Sequence, residues 1–155
     1  MMGPIRLRGF PMSSSSIHRR SVIALAGCLL ADAARAAGVS QAQASQARSV
    51  VQAQLDAFAA DDSLRAFLLG TDALRKRFGS PDRFIAMVRR GYPVIYRPAA
   101  VAFLKPQREG DQLIQPVQLT DARGNGWLAT YRLEQQGKAW LIAACEVEPN
   151  EGSFT

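Results

Sequence analysis

Histidine occurs once in the 155 residues and cysteine twice, and aromatic side chains make up only 8%. Two cysteines cannot build a disulfide framework or a cysteine-rich zinc cluster. No apolar run reaches the roughly 18 residues of a membrane span. Disorder is excluded from the other side, because 48% of the residues are hydrophobic and 21% charged. The length suits one compact domain and leaves little room for a second.

What is present begins with an unusual N-terminus. Arg19-Arg20 precede an apolar run, Ser21-Val22-Ile23-Ala24-Leu25-Ala26-Gly27-Cys28-Leu29-Leu30-Ala31, and small residues follow as far as Ala34-Arg35-Ala36. A positive stretch, a short apolar stretch and an A-x-A site describe a secretory signal peptide cleaved after Ala36. The expected organisation is a signal peptide over 1–36, one domain over 37–148 and a flexible tail over 149–155. Met12 is an alternative start. The expected compartment is the periplasm or the exterior of a Gram-negative bacterium. Three other readings stay open: a twin-arginine signal on Arg19-Arg20, a lipobox that makes Cys28 a lipidated anchor, and a buried N-terminal helix.

Cleavage would change the chemistry on offer. The whole chain has 19 basic and 13 acidic residues and a net charge of +6. The first 36 residues take away five basic side chains (Arg6, Arg8, Arg19, Arg20, Arg35) and one acidic one (Asp32), leaving 14 against 12 and a net charge of +2. That near-neutral balance argues against nucleic acid as a partner. His18 leaves too, and without imidazole there is no Ser-His-Asp triad, Cys-His dyad or His-ligated metal site. Cys145 becomes the one thiol, inside an apolar run that suits an inert, buried cysteine. Neither a cofactor nor a metal is expected.

The remaining chain changes period midway. Ser40 and Gln43 form a capping box, and Ala47, Val50, Val51, Leu55 and Phe58 recur at helical spacing over 41–60. Leu64, Phe67 and Leu68 give a short second helix. Thr71 caps a third that ends at Gly79. Ser80-Pro81-Asp82 opens a fourth, with Phe84, Met87 and Val88 inward and Arg89-Arg90-Gly91 at its close. The prolines of 92–98 predict an extended segment. Strands follow over 99–105, 112–120, 127–134 and 139–147, joined by hairpin turns at 109–111, 123–126 and 136–138. Pro116 places the second of these at an edge or a bulge. The fold class is α+β, with helices packed on one face of an antiparallel sheet.

Three stretches carry a family resemblance: Val51-Gln52-Ala53-Gln54-Leu55-Asp56-Ala57-Phe58, Phe78-Gly79-Ser80-Pro81-Asp82-Arg83-Phe84, and the run from Met87-Val88-Arg89-Arg90-Gly91 through Tyr92-Pro93-Val94-Ile95-Tyr96-Arg97-Pro98. They resemble the uncharacterised bacterial family of domain of unknown function 4864, and 127–134 and 140–145 are similar to its later strands. The resemblance spans about 45–147. It implies a cystatin-like or nuclear-transport-factor-two-like cone, a curved sheet wrapped around a helix. It brings no activity and no catalytic residue.

Cones of this kind often enclose a pocket. Here the acids fall mostly in caps and turns, and Asp56 reads as a solvated margin of the first helix. Two convergent titratable groups, which acid–base chemistry needs, are not evident. Tyr92, Tyr96, Arg97, Trp127 and Tyr131 are the candidates for a pocket that takes a small amphipathic or anionic ligand. Arg75, Lys76, Arg77, Arg83, Arg89 and Arg90 suit a solvated helix face, or a surface toward acidic lipid or polymer. The leading expectation is an exported, non-catalytic binding domain without a transmembrane span. The alternatives are a cavity enzyme of the isomerase or hydratase class, which needs a buried carboxylate, and a structural module that dimerises through a flat apolar sheet face.

Overall fold

A computed structural model describes residues 38–150. The expected signal segment, with His18, Cys28 and Ala36, lies outside the described residues. So do residues 151–155 of the expected tail.

Helix α1 (Gln41–Ala59) starts where the capping box predicts: Gln43 N–H donates to Ser40 Oγ at 3.2 Å, and Ser40 N–H to Gln43 Oε1 at 3.1 Å. Its stripe of Ala47, Val51, Leu55 and Phe58 is buried. Asp62 caps α2 (Ser63–Leu68) through Arg65 N–H. Of the apolar residues there, Phe67 and Ala66 turn inward while Leu64 and Leu68 stay exposed. Thr71 caps α3 (Asp72–Phe78), which ends on Gly79 at φ +77°, a left-handed conformation that glycine adopts without steric cost. Ser80 caps α4 (Pro81–Gly91), which buries Phe84, Ile85 and Val88. Among the described residues no helix is long and apolar enough to cross a membrane.

The segment expected to be extended instead forms a helical turn, α5 (Pro93–Tyr96). Pro93 occupies the first helical position, where its missing N–H is no loss and its fixed φ already suits the helix. The rule that a residue before proline avoids the α region does hold, for Tyr92 (φ −139°, ψ 57°) and for Arg97 before Pro98 (φ −145°, ψ 77°). Between those two limits Val94, Ile95 and Tyr96 are all buried, and their packing holds the turn.

Five strands complete the chain: β1 (Ala100–Phe103), β2 (Gln107–Glu109), β3 (Gln112–Thr120), β4 (Gly126–Gln136) and β5 (Ala139–Pro149). They form a curved, open antiparallel sheet in the order β1-β3-β4-β5, with β2 also paired to β3. The residues expected in one strand over 99–105 thus give β1 and lead to a second short strand. The last strand runs through Pro149, which pairs with Trp127, and Asn150 N–H donates to Gly126 O at 2.9 Å.

Pro116 is not at an edge, because β3 has partners on both sides. The proline is tolerated because the partner on one side is interrupted. Its carbonyl accepts from Leu104 N–H at 3.0 Å, so its missing donor faces the gap between β1 and β2. Gln115, buried at 1% exposure, fills that gap and donates from Nε2 to Leu104 O at 2.8 Å and to Pro116 O at 2.9 Å.

The core lies between the helices and the inner face of the sheet. Leu113, Val117, Leu119, Ala129, Tyr131 and Leu133 all have 0% exposure. The outer face mixes apolar side chains such as Ile114 and Leu128 with polar pairs: Arg132 pairs with Glu109 at 2.7 Å, and Gln112 donates to Glu134 at 2.8 Å. Between β4 and β5 the register slips, so that Arg132 faces Ala144 while Leu133 faces Ile142. Ala143 is the extra residue of a β-bulge. The connector from α2 to α3 docks at that place, with Ile142 N–H donating to Leu69 O and Thr71 N–H to Ile142 O, both at 2.9 Å. Gly70 sits in the connector, where an added Cβ would lie 2.7 Å from Leu74 Cδ2.

Candidate functional site

The bulge lies in the wall of a cavity between the helices and the sheet. In a regular strand Ile142 and Cys145 would face opposite sides of the sheet, since side chains alternate. The inserted Ala143 brings both to the wall under the helices, and Ala143 and Ala144 occupy little volume between them. The cavity measures about 490 Å³. Its floor is Tyr131 with 142–145, and its walls are Gln54 and Phe58 from α1, Leu74 and Phe78 from α3, and Phe84, Met87 and Val88 from α4. Arg77 stands exposed at the rim.

Polar groups in this cavity are few and neutral. Tyr131 is fully buried, and its Oη has no hydrogen-bond partner among the described residues. Burial holds the phenol well above its usual pKa, and the adjacent Cys145, its cross-strand neighbour, raises it further. Burial likewise pushes the Cys145 thiol up to about 12, so it stays protonated and a poor nucleophile. Gln54, 3% exposed, commits Nε2 to the Ala66 carbonyl at 3.2 Å and leaves its own carbonyl oxygen as an acceptor on the α1 wall.

The five candidate residues do not converge. Tyr92 is half-buried and lines both this cavity and a second one of about 470 Å³, which it shares with Arg97 and Trp127. Tyr131 belongs only to the first of the two. Tyr96 lines neither; it packs on Phe58 at 6.1 Å between centroids, and its Oη accepts from Arg89 Nη2 at 2.8 Å. Trp127 donates from Nε1 to Asp121 Oδ2 at 3.1 Å. Trp140 is buried in the core.

Arg97 is not a free cation. Its Nη2 lies 3.0 Å from Asp61 Oδ2, and Arg89 Nη2 lies 2.8 Å from Asp61 Oδ1. Both guanidiniums also stand over the Tyr96 ring, at 5.0 and 5.3 Å. The two arginines hold the Asp61 carboxyl below its usual range, with the Arg89 hydrogen bond the largest cause. Asp61 itself sits at φ +56°, a conformation its short polar side chain tolerates. This cluster ties α1, α4 and α5 together at their ends. Of the other basic side chains, Arg75 pairs with Asp72.

Among the described residues no carboxylate is buried, and no three acidic, cysteine or histidine side chains cluster as metal ligands would. Asp56 is exposed and accepts from Gln52 Nε2 at 2.8 Å, and Glu146 is exposed on β5. Sequence reasoning found Tyr131 but missed Gln54, Met87 and the bulge. The available signal was Ala143-Ala144, two small residues in a strand otherwise rich in large ones.

A helical layer on a five-stranded antiparallel sheet, with an apolar cavity between them, defines an α+β cavity domain. The family model described as Domain of unknown function (DUF4864) matches residues 40–155, and the chain belongs to that family. No curated protein and no solved structure matches it.

Proposed function

We propose that this protein is an exported, non-catalytic domain that binds a small, largely apolar molecule in the cavity between its helices and its sheet. The observation that carries this reading is the cavity itself: about 490 Å³, walled mainly by apolar side chains, with a buried and unpartnered phenol at its floor. That volume falls within the range of roughly 300–1,000 Å³ in which proteins bind small ligands. The export half rests on the N-terminal pattern ending at Ala36, with lipidation at Cys28 as its variant. The order of helices followed by a curved sheet is that of the cystatin-like or nuclear-transport-factor-two-like cones, which often hold such pockets.

No observation favours either alternative. A cavity isomerase or hydratase calls for a buried carboxylate, whereas the acids near the cavity are solvated. A dimer through the sheet calls for an apolar outer face, whereas that face carries the Arg132–Glu109 ion pair.

The test is titration of the purified chain with N-phenyl-1-naphthylamine, a neutral fluorophore that brightens in apolar surroundings. One molecule should bind per chain. The variant Ala73→Trp, which fills the cavity mouth from the exposed face of α3, should lose that binding and keep its circular dichroism. Unchanged binding in Ala73→Trp refutes the location.

A further inference from the structure

Resting on that reading, we infer that the cavity selects a neutral, oxygen-bearing apolar molecule (a ketone, aldehyde, ester or alcohol) whose oxygen accepts a hydrogen bond from the Tyr131 phenol. A carboxylate is rejected at that depth.

The groups at the cavity floor have the donors and acceptors for this and lack the charges for anything else. Tyr131 Oη has no partner of good geometry among the described residues, and the polar group beside it is the Cys145 thiol, a weak acceptor. Leaving such a group unmet in the interior is unfavourable, and a ligand oxygen supplied to it recovers the interaction without competition from water. The neighbouring thiol is neutral, being pushed up to about 12 by burial. Gln54 has one amide N–H engaged by the Ala66 carbonyl and keeps its carbonyl oxygen as an acceptor. A phenol donor, a neutral thiol and an amide acceptor match a carbonyl or a hydroxyl.

An anion at the same depth would find no counter-charge. Arg89 and Arg97 are bound to Asp61 and do not line this cavity. Arg77 does line it, but from the exposed rim, where solvent screens its charge. Burying an unpaired charge costs far more than one hydrogen bond returns. Entry to the phenol needs some give in the walls, and half-buried Met87 and Leu74 are flexible side chains that supply it.

The test displaces N-phenyl-1-naphthylamine from the full chain with three near-isosteric competitors: 2-acetylnaphthalene, 2-ethylnaphthalene and 2-naphthylacetate. Each is measured on the wild type and on Tyr131→Phe. The ketone should bind Tyr131→Phe about tenfold more weakly than wild type, the value of one buried hydrogen bond. The hydrocarbon should bind the variant at least as tightly, because it never engaged the hydroxyl. The carboxylate should bind the wild type at least tenfold more weakly than the ketone. If the fluorophore binds but the ketone does not distinguish the two proteins, or the carboxylate matches the ketone, the selectivity is refuted while the cavity reading stands. If neither the fluorophore nor any competitor binds, both fail.

Discussion

Replacing Tyr131 with Phe removes one oxygen and leaves the ring in its place between Ala129 and Leu133 on β4. In the free protein that oxygen is buried without a partner among the described residues. A buried polar atom left unsatisfied costs about 1–3 kcal/mol relative to one that is paired or absent. Tyr131→Phe is therefore expected to be more stable than wild type by about 1 kcal/mol or more. For a domain of about a hundred residues this raises the melting temperature by roughly 4 °C per kcal/mol. Urea unfolding should show a higher midpoint with an unchanged slope, since the surface exposed on unfolding barely differs. The pH dependence adds an independent check. The folded phenol has a pKa raised above the unfolded value of 10.0, so its neutral form is favoured by folding. That contribution is complete below pH 10 and is lost as pH rises beyond it, when only the unfolded chain can release the proton. The stability gap between Tyr131→Phe and wild type should accordingly widen above pH 10. A destabilised Tyr131→Phe would mean that the hydroxyl is already satisfied in the folded protein, and the argument for a waiting donor would be refuted.

Cys145 should resist Ellman's reagent at pH 8 in a Cys28→Ser background and react fully once unfolded, because its folded thiol titrates at about 12; rapid reaction of the native protein would contradict that. The same shift, from 9.0 to about 12, predicts a loss of about 1.4 kcal/mol of stability per pH unit between those values, absent in Cys145→Ala. Asp121, lowered to about 2 by hydrogen bonds from the Asn125 side chain and Trp127, helps stability above its unfolded pKa of 3.8 and loses that help as pH falls toward 2. Asp121→Ala should therefore speed amide exchange at Arg123 and Asn125, whose N–H groups both donate to Oδ1 at 2.9 Å. Asp61→Gly should be close to neutral, because relief of the positive φ offsets the loss of two exposed, solvent-screened ion pairs. Asp61→Val loses the pairs and keeps the strain of about 1–2 kcal/mol, so it should unfold at lower urea than Asp61→Gly.

Local chemistry made much of this fold readable. The side chains of Ser40, Thr71 and Ser80 each satisfy a backbone donor three residues onward, and Gly79 stops α3 by its own conformation, so no distant contact is needed to foresee them. The misreadings occur where a remote partner decides. Proline chemistry permits 93–96 to be either extended or a first helical turn, and burial of Val94 and Ile95 chooses between them. Pro116 reads as an edge signal only if its neighbour is continuous, and the interruption between β1 and β2 lies ten residues away in sequence. The site was less legible still. Arg97 looks like a spare cation until Asp61, 36 positions earlier, is brought beside it. The bulge at Ala143 breaks the alternation on which strand reading depends, so the cavity wall it lies in is invisible to a period of two.

Of the cavity walls, α3 is the one with no fully buried side chain. It is tied to the rest through the Thr71–Ile142 backbone bond before it, through Asp72 N–H donating to Gln136 Oε1 at 3.3 Å, and through the half-buried Leu74 and Phe78, and a glycine in the left-handed conformation follows it. Lifting this single short helix exposes little apolar surface, whereas withdrawing α1 or α4 would open the core. Its amides should therefore exchange with deuterium sooner than those of the other walls. A guest would then enter and leave past Leu74 and Arg77, and the traffic would be metered by how often one helical flap opens.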